Sequence, residues 1–242
     1  MFKFKFKGIN FFSGNFKEIK KQFDKGGVLV APAASALTDI NKNKDYYKAL
    51  KNADIAILDS GFFCILLRIF KKYKVIKLSG FLFLRRFLFS FKKDKKLFLI
   101  NPSIKENKIN SKYIRNLGIR NFKTYVSPIY KRIEDKKLII KINKFKPHYI
   151  MINLGGGIQE VLGIHIRNNI KFKSSIMCTG AAIAFLTGEQ APINKYVDRA
   201  YLGWLVRFLW NPKKYYKRTL KSVSLIKLFI ETKKRVPPIS LN

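Results

Sequence analysis

Short apolar runs and helical apolar stripes take turns along this chain. Phe2–Phe6 interleaves Phe with Lys at period two, which predicts a half-buried strand. Apolar runs at Val28–Ala31, Ile55–Leu58, Leu97–Ile100, Tyr149–Asn153 and Ser175–Cys178 predict further strands. Between them, apolar residues recur three and four apart, predicting helices over Phe16–Phe23, Tyr46–Asn52, Gly61–Tyr73, Ser111–Asn116, Gln159–Asn168 and Ala181–Leu186. Strands alternating with helices point to an α/β fold, a largely parallel sheet with helices on both faces.

The texture changes from about Ile193, where aromatic and basic residues crowd together (Trp204, Arg207, Trp210, Lys213, Lys214). Asn211–Pro212 makes a helix start, with Asn as cap and Pro at the first helical position. Behind it Lys214, Lys217, Arg218 and Lys221 share one helical face, and Val223, Ile226, Phe229 and Ile230 form an apolar set. Such a segment can lie on anionic lipid, or dock as a C-terminal helix with a solvated basic face. The expected division is an α/β domain over 1–195 and a basic helical appendage over 196–242.

The stretch Pro147–Glu160, PHYIMINLGGGIQE, carries the most local information. Its apolar run stops at Gly155, Gly156 and Gly157, and a helical pattern begins directly behind Gln159 and Glu160. A strand, a glycine turn and a helix start place backbone N–H groups and two polar side chains at the carboxyl end of a sheet. Open α/β folds bind ligands there. A tight turn with a helix-dipole acid at Glu160 would leave the same pattern.

Asp59 follows Ile55–Leu58 and precedes Ser60–Gly61, at the carboxyl end of a predicted strand. A carboxylate walled by apolar residues can have a raised pKa and act as a general base. Capping a helix that starts near Gly61 is the other role open to it. Asp54 reads as a solvated loop acid. His148 and His165 have no second ligand near them in sequence and read as surface or core residues. No Asp-x-Asp pair, Walker-type lysine loop or zinc spacing is present, so neither metal nor cofactor is expected. Small residues in Cys178–Pro192, CTGAAIAFLTGEQAP, allow close helix packing or close approach of a ligand.

The 242 residues hold 50 Lys and Arg against 14 Asp and Glu, a net charge of +36. That balance suits a polyanionic partner: nucleic acid, an anionic membrane surface or phosphate-bearing substrates. Lysine is spread along the whole length, and the richness in Ile, Asn, Phe and Tyr fits an AT-rich genome, so no specific nucleic-acid partner is expected. Cys64 and Cys178 lie in apolar runs and read as buried thiols of a reducing compartment. The start, MFKFKFKGIN, has no cleavage-site pattern, and no apolar run reaches the roughly 18–20 residues of a spanning helix. Neither a signal peptide nor membrane integration is expected.

Taken in order, IAILDSG, LSG, INLGGGIQE, TGAAIAFLTGEQAP and YLGWLVRFLWNPKKYYKR resemble the family 26 glycosyltransferases. These are the N-acetylmannosaminyltransferases of wall teichoic acid and enterobacterial common antigen synthesis, with related capsule enzymes. The resemblance runs from about Val28 to Lys221. It implies a catalytic domain and an appendage that closes over the active site and touches the membrane. It also implies an inverting, metal-independent transfer of a sugar, such as N-acetylmannosamine, from a UDP-sugar donor to a polyprenyl-diphosphate-linked sugar acceptor. The enzyme would be cytoplasmic and peripheral on the inner face of a bacterial cell membrane. The family's base falls on Asp59, its glutamine on Gln159 and the neighbouring acid on Glu160, behind Gly155 and Gly156. Its nucleotide-holding cations fall on Arg207, Lys214 and Lys217, and the basic residue ahead of its glycine on Lys77.

Departures from the family pattern stand beside these matches. Its Thr-x-Asn becomes Ala31–Pro32–Ala33, its DG is split to Asp59–Ser60–Gly61, and its Pro-Lys becomes Gly157–Ile158. A changed donor or acceptor sugar would follow from the loss of the Thr and Asn side chains. A catalytically silent relative acting in polysaccharide assembly and a basic nucleic-acid binder are the other readings open to the sequence, as is self-association into a homo-oligomer.

Overall fold

The computed structural model describes residues 1–189, 209, 216, 220–231 and 239–240. The strands are β1 (Phe2–Phe6), β2 (Ile9–Ser13), β3 (Gly27–Val30), β4 (Ile55–Ile57), β5 (Leu97–Asn101), β6 (Phe122–Val126), β7 (Tyr149–Ile152), β8 (Ser175–Cys178) and β9 (Ile239–Ser240). Between β2 and β5 run helices α1 (Phe16–Phe23), α2 (Ala34–Leu37), α3 (Lys44–Asn52), α4 (Gly61–Lys71) and α5 (Gly80–Phe89). Later come α6 (Ile104–Asn116), α7 (Lys136–Phe145), α8 (Ile158–Asn169), α9 (Ala182–Leu186) and α10 (Leu225–Glu231).

The nine described strands form one sheet in the order β6-β5-β7-β8-β3-β4-β2-β1-β9. All pairings are parallel except β1 with β2 and β1 with β9. Alternation along the central strands sends side chains to two cores. Val28, Val30, Ile150, Ile152, Ile176 and Cys178 join α2, α3, α4, α7, α8 and α10 on one face. Leu29, Met151 and Met177 join α1, α5, α6 and α9 on the other. Helices on both faces explain why these strands read as unbroken apolar runs.

The strands and helices expected up to Leu186 are present, most with ends shifted by a residue or two, while the helix start expected at Asn211–Pro212 lies outside the described residues. Several others lacked a periodic signal. The β1–β2 hairpin turns on Lys7 and Gly8, both at positive φ (48° and 76°), which suits the strand twist of a tight hairpin. α5, GFLFLRRFLF, is apolar on nearly every side and starts at Ser79, whose Oγ accepts from Leu82 N–H at 3.2 Å. α6 begins at Ile104, well before Ser111, because its first turns are polar and are capped by Ser103. α7 starts at Asp135, whose Oδ1 accepts from Leu138 N–H at 3.0 Å.

α8 lies close against β8 and β3. A Cβ added at Gly163 would stand 2.8 Å from Cys178 Sγ and 3.3 Å from Val28 Cγ1, so only glycine permits this approach. α10 docks on the sheet-and-helix body through Phe229, which packs on Phe6, Phe63 and Phe70. Its buried face is Leu225, Leu228 and Phe229, while Val223 and Ile230 are exposed, so the apolar face is rotated from the set expected. Among the described residues no helix is long and apolar enough to cross a membrane. Cys64 and Cys178 are buried, and neither forms a disulfide.

Candidate functional site

The chain leaves β3 for β4 on one side of the sheet and returns on the other side through β8. At this reversal the carboxyl ends of β3, β4, β5, β7 and β8 open on one cleft of about 810 Å³. Crevices at such switch points are where open α/β sheets bind ligands. Asp59, Gly155, Gly156, Gln159 and Glu160 all line it, as do Ala31 and Ala33.

Asp59 follows β4 and is half-buried. It does not cap the next helix: Ser60 does, its Oγ accepting from Phe63 N–H at 3.2 Å. Instead Asp59 Oδ1 accepts from Gly80 N–H at 2.8 Å, at the start of α5. Oδ2 has no hydrogen-bond partner among the described residues. The positive end of a ten-residue helix therefore abuts a carboxylate that keeps one oxygen for the cleft.

Gln159 and Glu160 open α8 and are both buried. Gln159 Oε1 accepts from Gly180 N–H at 2.7 Å, and its Nε2 donates to Glu160 Oε1 at 2.9 Å. Glu160 Oε2 accepts from Gly157 N–H at 2.7 Å. This clasp ties the loops after β7 and β8 together. Burial pushes the Glu160 carboxyl up to about 7, against the pull of the hydrogen bonds it accepts. Cys178, fully buried behind it, donates to the Gln159 carbonyl at 3.2 Å, and burial raises its thiol well above the ordinary range.

Of the three glycines, Gly157 has φ +94°, a backbone that L side chains rarely adopt. A Cβ at Gly155 or Gly156 would meet nothing within 4 Å. Those two are required neither by their backbone nor by any described neighbour.

A buried amide cluster beside them carries no sequence motif. Asn101, fully buried at the end of β5, accepts on Oδ1 from Asn110 Nδ2 at 2.7 Å and from Asn153 Nδ2 at 2.8 Å. It donates through its own Nδ2 to Asn107 Oδ1 at 2.8 Å. Asn110 and Asn153 line the cleft. Thr179 lines it too, and its Oγ1 and the Asn153 Oδ1 are buried without a partner among the described residues.

Lys77, half-buried ahead of Ser79, does not line the cleft; the cleft side of that turn is taken by the Gly80 amide and Asp59. Arg207, Lys214 and Lys217 lie outside the described residues. Lys221 does reach the cleft and pairs with Asp39. Asp54 is paired rather than merely solvated: it accepts from Val28 N–H at 2.8 Å and bridges to Arg167 at 2.9 Å. Its place before β4 puts it at the amino end of the sheet, away from the cleft. His148 Nδ1 accepts from Lys96 N–H at 3.0 Å, and burial lowers its pKa.

The described lining holds five carboxylates, Asp39, Asp59, Glu106, Glu160 and Glu189, against one ammonium, Lys221. Among the described residues no three His, Cys, Asp or Glu side chains converge closely enough to hold a metal ion.

The model of the Glycosyl transferase WecG/TagA/CpsF family matches residues 4–237, nearly the whole chain. The chain belongs to this family of glycosyltransferases of cell-surface polysaccharide synthesis. No curated protein matches it.

Proposed function

We propose that this glycosyltransferase moves an N-acetylhexosamine, such as N-acetylmannosamine, from a UDP-sugar to a polyprenyl-diphosphate-linked sugar, with inversion and without a metal. The observation that carries the reading is Asp59, held by Gly80 on one oxygen at the edge of the switch-point cleft. Asp59 takes the proton of the acceptor hydroxyl while that oxygen attacks the anomeric carbon. The bond from that carbon to the diphosphate breaks, and UDP leaves with its electron pair. General-base help of this kind contributes about 10²–10⁴-fold.

Gln159 is a positioning residue whose clasp sets the shape of the loop that faces the sugar. Gly155 and Gly156 leave room for a ligand to approach backbone N–H groups. In the described lining, one ammonium among five acidic side chains cannot balance a nucleotide diphosphate. Arg207, Lys214 and Lys217 of the appendage are assigned that charge, the role a metal otherwise fills. Ala31 and Ala33 put methyl groups where the family has Thr and Asn, which favours an altered sugar preference. It also keeps the catalytically silent relative as the second reading.

UDP release by the purified chain, given short-chain polyprenyl-diphosphate-N-acetylglucosamine and a panel of UDP-sugars, tests this with Asp59→Asn alongside. Acceptor-dependent release that collapses in the variant is the expected result. Equal release by both proteins overturns the role of Asp59, and no release with any donor turns the reading to the silent relative.

The basic surface and tail would hold the enzyme at an anionic membrane, at roughly 1 kcal/mol per basic residue near the surface. Because Phe229 packs into the body, deleting α10 would open the core. Replacing Lys233, Lys234 and Arg235 by Gln is the cleaner variant, and its flotation on phosphatidylglycerol vesicles should fall below that of the parent chain.

A further inference from the structure

We propose that a second groove, between α6 and β6, binds a phosphate group. It encloses about 490 Å³ and is separated from the cleft by α6 itself. Glu106, Ile109 and Asn110 of that helix line the cleft, whereas Asn107, Lys108, Ser111 and Arg115 line the groove. Residues one, four and eight positions beyond Asn107 return to one helical face, so the division follows from helix geometry. Arg120 and Lys123 complete the groove from the β6 side.

No carboxylate lines this groove, and its four cations form no salt bridge to any described residue. Arg115 is steadied over the Phe122 ring at 5.5 Å. Ser111 is 6% exposed, lines the groove, and its hydroxyl has no hydrogen-bond partner among the described residues. The hydroxyl stays accessible at the groove wall, where a ligand or solvent can bond to it.

The amide cluster fixes the remaining group. Asn101 Oδ1 already accepts two N–H groups, so its Nδ2 must donate, and it does so to Asn107 Oδ1. The Asn107 Nδ2 is thereby left as a donor at the groove wall. Donors therefore predominate: an amide N–H, a hydroxyl, two guanidinium forks and two ammonium groups. Phosphate oxygens only accept, and guanidinium forks match them in pairs. This inference does not rest on the glycosyltransferase reading, since no residue of the cleft mechanism takes part.

Binding of inorganic pyrophosphate, and of vesicles with and without phosphatidic acid, tests the groove in the full chain. The groove variant is Ser111→Ala with Arg115→Gln and Arg120→Gln. The control is Lys17→Gln with Lys21→Gln, which removes the same charge from exposed positions on α1. Any pyrophosphate bound at the cleft is common to both and cancels. At least one probe should bind the groove variant about tenfold more weakly, with the control within about twofold of the parent. Loss of both probes marks a soluble phosphate site, and loss of vesicle binding alone marks a lipid headgroup. Equal losses in variant and control, or no loss for either probe, overturn the proposal. Arg120→Gln alone gives the same comparison should the triple variant fail to fold.

Discussion

Gly80 N–H donates to Asp59 Oδ1 at 2.8 Å, joining the first turn of α5 to the carboxyl end of β4. A Cβ at Gly80 would sit 3.1 Å from that of Ala31 and 3.7 Å from that of Thr179, so three loops of the cleft meet at this contact.

Asp59→Asn retains an oxygen for Gly80, so it separates clamp from base. Thermal stability should change by less than about 1 kcal/mol, while acceptor-dependent UDP release falls about 10²–10⁴-fold. Melting curves beside turnover decide it. Unchanged turnover with unchanged melting would leave Asp59 as a clamp for α5 and no more.

Glu160 gives the chain a stability that depends on pH. Its carboxyl rises from an ordinary 4.5 to about 7 when the chain folds. Between those values the folded chain holds a proton that the unfolded chain has released. Stability is therefore highest below about pH 4.5, falls as pH rises through the window, and is level above about 7. The loss across the window should be about 3 kcal/mol. Glu160→Gln should abolish the slope. It should also cost about 1–3 kcal/mol, since one of the N–H donors from Gly157 and Gln159 then meets an amide NH₂. Urea midpoints of both proteins at pH 5 and pH 8, corrected for the response of the remaining groups in the variant, measure the difference.

Asp59 is legible because it stands directly behind an apolar run, and Gln159 because it follows the glycine turn that ends one; a parallel sheet delivers the carboxyl ends of its strands to one edge. The amide cluster is not legible. Asn153 reads as the end of a strand, Asn110 as one polar residue among many on α6, and only the pairing of β5 with β7 brings Asn101 and Asn153 together. α5 was hidden for a different reason: a helix packed between α1, α9 and the sheet is apolar around most of its circumference and loses its period. Of the apolar set Val223, Ile226, Phe229 and Ile230, only Ile226 and Phe229 pack on the body, joined by Leu225 and Leu228, because α10 docks against α4 and α2, a choice that only the neighbours determine.

Asn101→Leu should be among the more destabilising changes in the body. Leu is close in volume, but it strands the amides of Asn107, Asn110 and Asn153 at once. Solvent from the cleft can recover part of what is lost, leaving a cost of about 3 kcal/mol. For a chain of this size that is a fall in Tm of about 6–12 °C. A fall of about 1 °C would mean that the amides pair with water as well as with one another.

The glycine turn separates backbone demand from ligand demand. Gly157 holds φ +94°, and its N–H is taken by Glu160, so Gly157→Ala strains the turn and should cost about 1–3 kcal/mol whatever is bound. Gly155 and Gly156 have no such φ, and an added Cβ meets nothing within 4 Å. Gly155→Ala should leave the melting temperature within about 1 °C, or shift it slightly upward through the less flexible unfolded chain. If a substrate lies against this loop, the same methyl group must raise KM for donor or acceptor, by about tenfold for a clash relieved by a small shift. A rise in KM without loss of stability would place the substrate over Gly155. Unchanged kinetics would leave the two open glycines as spacers between β7 and the Gln159–Glu160 clasp, and move substrate contact toward Asn153 and Thr179.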